Sequence, residues 1–198
     1  MLIGNLFALV QRDLKRMLAY SGVAHMGYLM IPLAAPGEDS WRPIFVYLVA
    51  YVLMNAGAFT VATLLYAKAS EQHSIASLAG WGYRFPLLGG CLAISMVSLA
   101  GIPPTAGFLG KYFVFLHAIE HDRLGLALVG IAASLIGVGY YLRVVYLLYM
   151  KPEIEAPEAI RPDSAGTLAA VIAAAASLLL GLAPSAFLSW AAASLLPR

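Results

Sequence analysis

Lys111 is the only charged side chain between Pro86 and Ile119 of this 198-residue sequence, inside the stretch "AGIPPTAGFLGKYF" (100–113). At membrane depth a charge costs at least ~2.5–3.5 kcal/mol on insertion scales, so such residues usually face a bundle interior or a wet cavity. Irregular backbone at that depth is tolerated only where it is buried in protein or lines a cavity. The segment "GIPPT" and Lys111 put both expensive features within about ten residues of each other. Burial penalises the charged form of an amine, which makes Lys111 a candidate for proton exchange. The alternative is a lysine that snorkels to an interface or pairs with a lipid phosphate. Its place beside the break, rather than at a helix end, speaks against that.

Other polar groups interrupt the apolar runs. "AYSGVAHMGYLM" spaces Tyr20, Ser21, His25 and Tyr28 about one helical turn apart, with Ser21, His25 and Tyr28 on one face. Imidazole chemistry suits His25 to proton relay; a histidine that hydrogen-bonds a neighbouring carbonyl inside a bundle is the other reading. Asn55 in "LMNAGAF" reads as a polar packing residue beside small ones. Tyr140 and Tyr141 in "GVGYYLRVVY" read as aromatic packing, with the hydroxyls of a proton wire as the alternative. No glycine-rich phosphate loop, paired carboxylates, Cys/His cluster or nucleophile motif is present, and the single cysteine, Cys91, offers no disulfide framework.

These residues need elements to hold them. The chain is 62% hydrophobic and 11% charged, against roughly 25% charged for a soluble domain. Its apolar runs are long enough to cross a hydrocarbon layer. The fold class expected is therefore all-α, a single polytopic transmembrane bundle over 1–198 in contact with lipid. The net charge of +2 is not clustered beyond the short loop "QRDLKR", a topology signal, and gives no reason to expect nucleic acid as a partner. "MLIGNLFALV" has no basic region or cleavage site of a signal peptide and is too short to span. It reads as the last turns of a preceding crossing.

Full runs follow over Met17–Ala35, Pro43–Tyr66 and Leu124–Met150, with a last one from Ala165, near whose far end Pro184 lies. The connection 67–85 is mixed in character. The count turns on 86–120. Two spans there would fall short of the usual ~20 residues, and one unbroken helix would be about 50 Å long. One discontinuous crossing, broken at 101–105, gives five complete crossings. Lysine and arginine bias agrees: counting Arg143 with its nearer face and leaving out Lys111, a broken crossing divides the cations eight against three, two crossings seven against four. On this reading the basic loop 11–16 is cytoplasmic, with 67–85 and 151–164, while 36–42 and 120–123 lie opposite.

"LFALVQRDLKRMLAYSGVAHMGYLM", then "SLAGIPPTAGFLGKYFVF", then "GVGYYLRVVYLLYM" resembles the antiporter-like proton-pumping subunits of NADH–quinone oxidoreductase (respiratory complex I), the N type most closely. The resemblance runs along essentially the whole chain and matches the C-terminal part of a fourteen-helix subunit, from the tail of the ninth helix to the fourteenth. It implies that Lys111 is the lysine of the broken twelfth helix, that Tyr140 lies beside it on the thirteenth, and that His25 is the tenth-helix histidine of a central polar axis. Asn55 falls where sister subunits can carry a lysine. The resemblance also implies redox-coupled proton transfer in the inner (plasma) membrane, with other membrane-arm subunits as partners. No redox cofactor is expected on this chain; NADH, FMN, iron–sulfur clusters and quinone would serve the rest of the complex. The glutamate and two lysines of the family's other half-channel lie upstream of the matched part. A cation/proton antiporter or membrane-bound hydrogenase subunit, and a non-conducting assembly subunit, are the alternatives.

Overall fold

The computed structural model describes residues 1–37, 39–66, 74–152 and 163–185. Among these residues the secondary structure is helical: α1 (Leu2–Leu9), α2 (Leu14–Ala34), α3 (Trp41–Tyr66), a 3₁₀ turn (Ile75–Leu78), α4 (Trp81–Arg84), α5 (Pro86–Ala100), α6 (Ala106–Glu120), α7 (Leu124–Met150) and α8 (Ser164–Leu182). Helices α2, α3, α7 and α8 are each long and apolar enough to cross a membrane, and α5 is a shorter apolar helix. The chain is an all-α, multi-pass bundle, as its composition requires. Asn5, Ser21, His25, Ser95, Ser98, Lys111, His117 and Ser177 are buried inside it, while large apolar residues such as Leu135, Leu168, Ile172 and Leu179 face outwards. That polar-inside arrangement is what a hydrocarbon surround selects.

The helix ends follow from local chemistry. Asp13 caps α2, its carboxylate accepting from the Arg16 amide at 2.8 Å. The cap corrects one expectation: Lys15 and Arg16, read as loop, belong to the first turn of α2, because Asp13 begins the helix ahead of the apolar run. Helix α3 likewise starts two residues early, at Trp41, and α8 ends at Leu182, ahead of Pro184. Of the connection 67–85, residues 74–85 carry the 3₁₀ turn and α4, and 67–73 lie outside the described residues. Between α5 and α6 Pro103 and Pro104 supply no amide hydrogens. There α5 ends at Gly101, whose φ of 81° is the left-handed conformation that glycine takes at least cost.

Helix α3 lies at the centre, packed against α2, α5, α6 and α8, while α7 packs against α1, α5 and α6. Contacts define two ends of the bundle. At one, the Ile75 amide donates to Arg12 O and the Gly80 amide to Leu147 O, and Arg143 reaches Gln11 O. At the other, His117 Nε2 lies 2.9 Å from Ala35 O and 3.2 Å from Ser40 Oγ. Helix α5 starts at the first end and α6 finishes at the second, with residues 101–105 between them. The half-helices are joined where Ser98 Oγ accepts from the Gly107 amide at 3.1 Å. A Cβ at Gly107 would run into the Ser98 carbonyl, so the residue has to be small.

Candidate functional site

Lys111 sits five residues into α6 and points back towards the end of α5. Its Nζ donates to Leu99 O (3.0 Å), Ala100 O (2.9 Å) and Ser134 Oγ of α7 (2.8 Å). The side chain is 6% exposed, and the ammonium lies 5.4 Å from the centre of the Tyr28 ring of α2. Two of the three oxygens are carbonyls left over at the α5 C-terminus, the negative end of the helix dipole. Hydrogen bonds to a charged group are worth about 1.5–3 kcal/mol each, so three of them are comparable with the cost of bringing the charge to this depth. Lysine therefore faces the bundle, not lipid. Among the described residues no carboxylate is a partner of it. Gly101 makes the approach possible: a Cβ there would lie 2.8 Å from Lys111 Cδ and 3.1 Å from Nζ.

His25 is 1% exposed and held between two tyrosines, with Nδ1 2.7 Å from the Tyr47 hydroxyl and Nε2 3.0 Å from that of Tyr141. A neutral imidazole has one N–H, so one tyrosine accepts and the other donates. Tyr140 does not reach Lys111; its hydroxyl donates to Asn5 Oδ1 of α1 at 2.8 Å. Asn5 Nδ2 in turn donates to the Tyr28 hydroxyl (3.0 Å) and to Met1 O (3.2 Å). The Met1 carbonyl only accepts, which fixes the direction of the amide. The ring centres of Tyr140 and Tyr141 lie 4.4 Å apart, with the ring planes inclined at 52°.

The three residues singled out in the sequence thus belong to one buried cluster without touching one another. Tyr28 joins them, its ring 5.4 Å from Lys111 Nζ and 5.7 Å from the His25 ring, its hydroxyl linked to Tyr140 through Asn5; the sequence reading passed over Asn5, Tyr47 and Ser134. Ser134 had a signal: with Gly137 and Tyr141 it forms one helical face at i, i+3 and i+7. Asn5 is the only polar side chain of the first ten residues. Asn55 stands apart from Lys111, donating to Tyr51 at 3.1 Å with its Oδ1 unpartnered among the described residues. A cavity of about 440 Å³ opens near the second end, lined by Asp39, Arg42, His117 and Glu120 among others. Among the described residues no group of three or more His, Cys, Asp or Glu side chains could hold a metal ion.

A buried lysine beside a helix break, inside a multi-pass helical bundle, marks the chain as one of a class of polytopic membrane proteins. Residues 1–137 match the family described as NADH:quinone oxidoreductase/Mrp antiporter, TM, and the chain belongs to that family. It is 40% identical over 191 residues to NADH-quinone oxidoreductase subunit N of Trichlorobacter lovleyi, covering 96% of this chain and 39% of that protein. It is 43% identical over 203 residues to the subunit N of Bdellovibrio bacteriovorus, covering 99% of this chain and 41% of the relative. The chain therefore spans about two fifths of the length of these relatives. A chain of respiratory complex I from Thermus thermophilus with bound aureothin superposes with a TM-score of 0.79 at 34% identity, over 92% of this chain and 41% of that one. The Mrp complex from a Dietzia species shares the fold, with a TM-score of 0.81 at 20% identity over 94% of this chain and 43% of that one.

Proposed function

We propose that this chain forms part of a membrane-arm subunit of a proton-translocating NADH–quinone oxidoreductase, with Lys111, His25 and Tyr140 on its proton path. The observation that carries the reading is Lys111, a buried amine held at a helix break by three neutral oxygens. Such a group can alternate between charged and neutral forms without leaving a carboxylate stranded. The relatives, a subunit N of NADH-quinone oxidoreductase and a chain of respiratory complex I, supply the complex. On this reading α5 and α6 make one discontinuous crossing, the partners are the other membrane-arm subunits, and the site is the bacterial inner (plasma) membrane with loop 11–16 on the cytoplasmic face. NADH, FMN, iron–sulfur clusters and quinone serve other subunits, whose redox chemistry shifts the charge beside Lys111 and so drives its proton exchange.

The test is redox-linked proton pumping by the membrane complex that contains this chain. Lys111→Ala lowers pumping while the complex still assembles. Lys111→Arg keeps a charge that scarcely releases its proton, so it impairs pumping as well. Full pumping with arginine would replace proton exchange by a fixed electrostatic role.

A further inference from the structure

The three partners of Lys111 differ in one chemical respect. Leu99 and Ala100 present carbonyl oxygens, which accept and never donate, whereas Ser134 presents a hydroxyl that does both. An ammonium has three N–H donors, and each of the three oxygens takes one, so the charged form is completely satisfied. No position on Nζ is left open for a water molecule. A neutral amine has two N–H groups and one lone pair. After proton loss, one contact must therefore reverse, and of the three only the serine can turn a hydrogen towards Nζ.

We infer that Ser134 is the group through which Lys111 gains and loses its proton, an inference that rests on the reading of Lys111 as the exchanging group. In release, an N–H bond of Nζ breaks as an O–H bond forms at Ser134 Oγ. The original hydrogen of Ser134, a residue only half-buried, leaves to a water molecule. The products are a neutral lysine, an unchanged serine and a proton on water; uptake is the same step reversed. Tyr28 is the positioning residue. Its ring lies 5.4 Å from Lys111 Nζ, and its oxygen is pinned by the Asn5 amide at 3.0 Å.

The experiment compares Ser134→Thr with Ser134→Val, side chains of nearly equal shape that differ in the hydroxyl, and uses Lys111→Ala as the reference. Protons moved per assembled complex are read alongside the amount of complex in the membrane, which separates transfer from stability. Threonine keeps the parent pumping rate, and valine falls to the level of Lys111→Ala. Ser134→Ala, which cannot crowd α6, shows the same loss and serves if valine hinders assembly. Equal pumping by the threonine and valine or alanine variants overturns the role of Ser134 and leaves the lysine reading standing, provided Lys111→Ala still shows its loss. Parent-level pumping by Lys111→Ala overturns both.

Discussion

Lys111 was legible as a residue out of place: one charge in an apolar run announces a partner or a cavity. His25 stood out on similar grounds, as a polar side chain inside a span, while Tyr140 read as aromatic packing and entered the set only through the family resemblance. Their partners were not legible, because carbonyls such as Leu99 O and Ala100 O carry no signature in residue type, and Asn5 stood in a segment read as a tail. Gly101 is where the main chain enters the site. Alanine there must take a left-handed φ and place its Cβ 2.8 Å from Lys111 Cδ. Gly101→Ala is expected to cost about 1–3 kcal/mol and to displace the ammonium. A lower melting temperature of the solubilised complex together with reduced pumping is the expected pair of results, and pumping at the parent rate would show that the lysine tolerates the shift.

At the scale of the element, the break between α5 and α6 was readable from Pro103 and Pro104, which remove two donors in succession. Unreadable was how the halves hold on to each other. Ser98 was one hydroxyl among many, yet its Oγ accepts from the Gly107 amide and also lies 2.8 Å from Ser177 Oγ of α8. The same blindness misplaced the start of α2, where a single carboxylate cap extends the helix past the hydropathy boundary. Gly107→Ala tests the join. Its methyl group would press on the Ser98 carbonyl, which is backbone and has little room to yield. Overpacking of this kind costs typically about 1–3 kcal/mol, so less assembled complex and earlier thermal dissociation are expected. An unchanged melting profile would mean that the two halves separate freely.

For the molecule as a whole, composition and apolar length sufficed to give a multi-pass bundle, since hydrocarbon leaves so few alternatives for the backbone. Sidedness has a direct check. Cysteines replacing Asp39 and Asp122 should react with a membrane-impermeant thiol reagent from one face, and a cysteine replacing Lys151 from the other; native Cys91 is buried and contributes little background. Labelling of all three from one side would exclude the arrangement of ends described above. The oxygens around Lys111 carry a broader implication. All three are uncharged, so this spot is a bare monopole when the amine is loaded and electrically silent when it is empty. A lysine locked to a carboxylate would instead present only a dipole in its loaded state, whose field fades quickly with distance. At an effective dielectric of about 20, a monopole still acts on another unit charge about 10 Å away with ~1.7 kcal/mol. That is more than a tenfold bias on any equilibrium in which such a neighbour takes part, transmitted sideways through the bilayer plane with no helix having to move.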